Sequence, residues 1–82
     1  MKEISVISGG TSGLGLEIAD LLVKSGKNVL ILGRSNDKLA EASSRLKKVT
    51  KNILVESLTC NIGNEDDINQ VGDYLTKNKF SG

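Results

Sequence analysis

Apolar residues along this chain follow two patterns that alternate from end to end. Short apolar-rich stretches, "ISVI" at 4–7, "NVLIL" at 28–32 and "ILVESLTC" at 53–60, have the length of strands. Between them the spacing turns helical. Leu14, Ile18, Leu21 and Leu22 fall on one predicted helix face, Leu39, Ala42, Leu46 and Val49 on a second, and Ile68, Val71 and Leu75 on a third. Start and stop signals sit where these elements need them. Thr11 or Ser12 can cap the first helix and Gly26 can end it; Ser35 or Asn36 can cap the second. Asn64 begins the third, with Glu65, Asp66 and Asp67 in the first turn, where the helix dipole favours negative charge.

Strand, helix, strand, helix, strand, helix implies a parallel sheet joined by right-handed crossovers. The expected architecture is α/β, a three-layer Rossmann-like βαβαβα half with sheet order 3-2-1. "NVLIL" is continuously apolar from Val29 to Leu32, as befits a strand covered on both faces. The third helix should cross to the opposite face, covering it only in part and leaving some of "NVLIL" exposed. Residues 1–82 then make one partial nucleotide-binding domain, stopping at "KFSG" where a fourth strand is expected. That leaves the first strand as an apolar edge with no charge or proline to guard it, so a homo-oligomer joined near that edge is expected.

Composition narrows the function. The 82 residues are 38% hydrophobic and 26% charged with net charge +1, which argues against electrostatically driven nucleic-acid binding. Tyr74 and Phe80 are the only aromatics, too few for a base-stacking platform. No histidine is present, which excludes histidine acid–base chemistry and histidine-ligated metal within the chain. Cys60 is the sole cysteine; it cannot form an internal disulfide, reads as a small apolar strand residue, and fits a cytoplasmic setting. The apolar stretch in "MKEISVIS" is too short for a signal peptide or a membrane span.

The chemistry concentrates in "SGGTSGLG", residues 8–15, between the first strand and the first helix. Dinucleotide-binding folds hold a pyrophosphate at that place. A tight turn and close approach of backbone to phosphate both require the absence of side chains. Gly9 can supply the turn, Gly13 the close approach, and Gly15 contact between helix and strand. Thr11 and Ser12 add hydroxyl donors beside the N–H groups of the helix start. The alternative is a glycine turn that binds nothing.

With glycines at 9, 13 and 15, the segment resembles the T-G-x-x-x-G-x-G signature of the short-chain dehydrogenase/reductase family, with Ser8 in the threonine position. The resemblance continues through "LGRSNDKL" (32–39) and "CNIGNEDDI" (60–68) and covers essentially the whole chain, as the N-terminal, cofactor-binding part of the family's length. It implies that Gly9, Gly13, the Leu14 backbone and Gly15 border the pyrophosphate, with Thr11 and Ser12 near phosphate and ribose. An acid that would hold a ribose 2′-hydroxyl is missing after the second strand, where Gly33 is followed by Arg34 and Ser35. A guanidinium there suits a 2′-phosphate, so NADP is the expected cofactor and NAD the alternative; Arg34 as a solvated surface residue is the plain reading. Relatives carry Asp followed by Val or Leu after the third strand, where this chain has Asn61-Ile62. The asparagine carbonyl can accept a hydrogen bond from the adenine amine, or Asn61 can simply shape the turn.

The family's Tyr-x-x-x-Lys pair, catalytic serine and Asn-Asn-Ala-Gly segment are absent; "YLTK" at 74–77 has its lysine one position early, and Tyr74 and Lys77 read as surface helix residues. The expectation is therefore the NADP(H)-binding portion of an oxidoreductase, without catalysis by this chain alone. A stand-alone nucleotide-binding module and a decayed structural or assembly protein are the alternatives.

Overall fold

The computed structural model describes residues 2–11, 13–49 and 51–81. Its elements run β1 (Lys2–Glu3), β2 (Ser5–Ser8), α1 (Gly13–Lys24), β3 (Val29–Gly33), α2 (Asn36–Lys47), β4 (Val55–Thr59), α3 (Glu65–Lys77) and β5 (Phe80–Ser81). β2, β3 and β4 form a parallel sheet with β3 in the middle, which is the expected 3-2-1 order. The register pairs Val6 with Leu30 and Ile7 with Ile31, and continues from β3 as Ile31 with Ser57 and Leu32 with Leu58. Asn28 ties the strand beginnings together. Its Nδ2 donates to the Glu3 carbonyl at 3.0 Å, and its Oδ1 accepts from the Leu54 N–H at 2.9 Å.

Period-two alternation sorts the core into two clusters on opposite sheet faces. Ile7, Val29, Ile31 and Val55 pack with Ala19 and Val23 of α1 and Leu39, Ala42 and Leu46 of α2. Ile4, Leu30, Leu32 and Cys60 pack with Phe80, and Val71, Tyr74 and Leu75 of α3 lie against them. The third helix therefore crosses to the far face, and the arrangement has three layers. Both faces of β3 are covered, so its continuous apolar run has the cause inferred for it. The expected exposure of "NVLIL" does not occur: Leu30 is 0% and Leu32 3% exposed. Leu58 and the α3 side chains reach over them, and the uncovered spot falls on Val6, at 38%.

The expected face of α1 is overturned. Leu14 is 72% exposed, Leu21 64% and Ile18 42%, while Ala19 and Val23 are buried and Leu16 and Leu22 partly so. A helix apolar on nearly every side offers more than one stripe. Close approach to the sheet favours the one that places alanine and valine underneath. Gly26, at φ +82°, ends the helix: its N–H donates to the Val23 carbonyl, and that of Lys27 to Leu22, the paired bonds of a Schellman cap.

Ser35 caps α2 and Asn64 caps α3, each side chain accepting from the backbone N–H three residues on. Val49, just beyond α2, packs on the first cluster as expected. In the α3 stripe Val71 and Leu75 pack inward but Ile68 remains exposed. Tyr74, expected on the surface, is half-buried against the second cluster and stacks with Phe80 at 6.3 Å between ring centroids. "KFSG" does more than stop: β5 pairs parallel with β1, Lys2 opposite Phe80 and Glu3 opposite Ser81. The first strand's outer side is thus engaged at its beginning. Ser5–Ser8 has no outer strand partner among the described residues.

Candidate functional site

β2, β3 and β4 all end at the same edge of the sheet, and the loops that follow them enclose a cleft of about 400 Å³. Ser8, Gly9 and Thr11 line it from the first loop, Gly33, Arg34, Ser35 and Lys38 from the second, and Cys60, Asn61 and Ile62 from the third. Its position at the carboxyl ends of parallel strands is where open α/β sheets bind ligands.

The glycines of the first loop act differently. Gly9 at φ +73° and Gly13 at φ +58° adopt the left-handed backbone that favours glycine, and a Cβ on either would meet nothing within 4 Å. A side chain at Gly13 would project into open space above the loop. Gly15 faces the protein: a Cβ there would sit 2.3 Å from the Gly9 carbonyl oxygen, so only glycine lets α1 start against the loop. Gly10, which pattern reading passed over, is confined in the same way. Its Cβ would lie 2.7 Å from Ile31 Cγ2, so the loop can lie flat on β3 only without a side chain there. The Gly9 N–H donates to the Leu32 carbonyl at 3.0 Å, tying the loop to β3.

The second loop supplies charge. A Cβ on Gly33 would come within 3.0 Å of Thr11 Cγ2 and 3.3 Å of Leu39 Cδ2. Glycine at 33 thus brings Thr11 close to the residues that precede Arg34. Arg34 is exposed and lines the cleft, and Ser35 follows it at the α2 cap. Thr59 Oγ1 donates to Asn36 Oδ1, joining the end of β4 to the first turn of α2.

The third loop is held by its own side chains. Asn61 Oδ1 accepts from the Gly63 N–H at 3.1 Å, and Asp67 Oδ2 accepts from the Asn61 N–H at 2.8 Å. The Asn61 carbonyl is thus already engaged in a turn, the structural role weighed for it. One lone pair stays available, and the residue still borders the cleft. Ile62 lines the cleft with 58% of its surface exposed. Cys60 is buried at the cleft's floor and its N–H donates to the Gly33 carbonyl at 2.8 Å.

Of the candidate residues, the fold gathers Gly9, Thr11, Arg34, Ser35, Asn61 and Ile62 around one cleft. Gly13, Leu14 and Gly15 open α1 just outside its lining. Ser12 lies outside the described residues. Pattern reading missed Lys38, Ser8 as a lining group, and the packing role of Gly10. The spacing of Lys38 four residues after Arg34, across the α2 cap, was the available signal. Among the described residues no group of three or more His, Cys, Asp or Glu side chains could hold a metal ion, and no helix is long and apolar enough to cross a membrane.

A three-layer α/β half with a glycine loop and cleft at the strand ends has the architecture of nucleotide-binding dehydrogenase folds. The chain belongs to the short-chain dehydrogenase family, whose sequence model matches residues 3–79. It is 30% identical over 78 residues to an uncharacterized oxidoreductase of Staphylococcus saprophyticus, covering 95% of this chain and 32% of that protein. It is 33% identical over 67 residues to human polyprenol dehydrogenase, covering 82% of this chain and 20% of that one. The structure of L-sorbose reductase from Gluconobacter frateurii, complexed with NADPH and L-sorbose, superposes with a TM-score of 0.85 at 26% identity, over 93% of this chain and 28% of that chain. The chain spans less than a third of the length of each of these proteins.

Proposed function

We propose that the cleft binds a nicotinamide dinucleotide, NADP(H) in preference to NAD(H), and that this chain is the cofactor-binding portion of an oxidoreductase. The observation that carries the reading is the cleft's lining, with hydroxyls from Ser8, Thr11 and Ser35 and two cationic side chains without a carboxylate among the described lining residues, beside a glycine loop with open space over Gly13. This donor set fits a phosphorylated nucleotide. Gly9, Gly13, Gly15 and the Leu14 backbone would border the pyrophosphate, Thr11 and Ser12 the phosphate and ribose, Arg34 and Ser35 the 2′-phosphate, and Asn61 and Ile62 the adenine. When bound, the cofactor supplies a hydride donor or acceptor at its nicotinamide. The relative bound to NADPH and L-sorbose supports the cofactor class.

Catalysis by these residues alone is not expected, since the sequence has neither a Tyr-x-x-x-Lys pair nor a histidine. The purified chain should show no NADPH turnover with a panel of aldehydes, ketones and quinones. Turnover that disappears with Gly13→Val would contradict this. The buried, lone Cys60 suits a reducing, cytoplasmic setting. The open Ser5–Ser8 edge is the place proposed for pairing with a second copy, which light scattering checks; a monodisperse monomer at tens of micromolar would contradict it.

Fluorescence titration with NADPH tests the binding claim. The wild-type chain should bind and Gly13→Val should not, with the fold retained by circular dichroism. Equal affinity in the two would remove the loop from the site.

A further inference from the structure

We propose that Lys38 is a second phosphate-reading residue, which with Arg34 forms a two-cation wall selective for a 2′-phosphorylated adenosine. The proposal rests on the dinucleotide reading above and assigns a role to a residue that it leaves unused. Three observations carry it. Arg34 and Lys38 both line the cleft, on the side built by the β3–α2 loop. Among the described residues the ion pair present is Lys24 with Asp20 on α1, and no described carboxylate pairs with either cleft cation. Asp37 lies between them in sequence but is absent from the lining.

Local structure fixes where the two charges start. The Lys38 N–H donates to Ser35 Oγ at 3.4 Å, and the Leu39 N–H to the Ser35 carbonyl at 3.0 Å. Leu39 is buried in the first core cluster and anchors this turn to the sheet. The backbone that carries Lys38 is therefore held beside Arg34, while its side chain remains exposed to reach a ligand. A phosphomonoester dianion has two charges and three terminal oxygens. A planar guanidinium and a compact ammonium can share it, the first as a fork and the second as a point charge. A ribose 2′-hydroxyl offers neither cation a charge, so Lys38 should contribute to NADP binding and not to NAD binding.

Calorimetric titration of the whole 82-residue chain with 2′,5′-ADP and with 5′-ADP separates the 2′-phosphate from the rest of the nucleotide. The wild type should prefer 2′,5′-ADP. Lys38→Ala should weaken 2′,5′-ADP about tenfold and leave 5′-ADP unchanged. Lys38→Arg should retain the preference. Lys47→Ala, which removes a charge from the far end of α2, should change neither ligand. A Lys38→Ala chain with wild-type affinity for 2′,5′-ADP, or with equal losses for both ligands, overturns the role of Lys38. If Arg34→Ala still lowers the preference in that case, the cofactor reading stands without Lys38. A wild-type chain with no preference for 2′,5′-ADP overturns both.

Discussion

Ser35 at the start of α2 and Asn64 at the start of α3 have almost the same backbone, φ −109° and ψ 119° in one, φ −108° and ψ 119° in the other. Each follows a strand of the same sheet, and each side chain accepts the backbone N–H three residues on. What surrounds the two caps differs. Glu65, Asp66 and Asp67 occupy the first turn of α3, and the Asp67 carboxylate reaches back to the Asn61 N–H. Negative charge from the chain itself answers the helix's positive end, which stabilises the helix. Around α2 the sole acid in the first turn is Asp37, and Arg34 and Lys38 stand on either side of the cap facing the cleft. Two cations beside a helix N-terminus disfavour the helix unless an anion joins them. Capping geometry is therefore the same at the two helix starts, and the sign of the surrounding charge is what differs.

If that difference is local, a change in the backbone beneath the cleft should harm both stability and binding, and a change at one cap should harm one of them. Gly15→Ala is the first kind. Its methyl would collide with the Gly9 carbonyl, so a loss of about 3 kcal/mol in urea unfolding is expected, together with loss of NADPH binding. That is a large share of the roughly 4–12 kcal/mol available to a domain of this size. Wild-type stability would mean that α1 and the loop are not in the contact described.

Arg34→Ala is the second kind. It should weaken NADPH binding by about 1.5–3 kcal/mol, leave NADH little changed, and barely move the unfolding midpoint. Similar losses for both cofactors would erase the distinction drawn for the start of α2. Asn64→Ala should do the reverse, costing about 1 kcal/mol of stability through the lost cap and leaving NADPH affinity intact. A cofactor effect there would show that the α3 start belongs to the site.

The smallest effect concerns pH. Burial, and secondarily Glu56, raise the Tyr74 pKa above its ordinary 10.0. The folded chain therefore holds this phenol's proton more tightly than the unfolded chain does. That contribution to stability is complete below about pH 10 and disappears as pH rises through the folded value. Urea midpoints for Tyr74→Phe should fall off less than wild type above pH 10, with no change near neutrality. Identical alkaline profiles would place Tyr74 outside the second core cluster.

Strand order, the three layers and the cleft's place were legible in the sequence because each follows from local periodicity and one topological rule. "NVLIL" could be read as a strand covered twice, and Ser35, Asn64 and Gly26 as caps, from a few neighbouring residues. The face of α1 was not legible in this way. Leu14, Ile18 and Leu21 outweigh Ala19 and Val23 in apolar size, but the contact of Gly15 with the Gly9 carbonyl sets the helix too close for the larger stripe. Gly10 against Ile31, and Tyr74 against Phe80, likewise depend on which chain segments meet across the fold. β5 is only two residues long and has no periodicity to read. Lys38 resembles any exposed helix lysine until the cleft places it beside Arg34.

The most direct measurement is calorimetric titration of the wild-type chain with NADPH and with NADH under one buffer and salt condition. Arg34 and Lys38 reading a 2′-phosphate predict that NADPH binds at least about 100-fold more tightly, two charged hydrogen bonds being worth about 3 kcal/mol or more. Equal dissociation constants for the two cofactors, or no binding of either, would contradict the account of the α2 start as an anion-reading site.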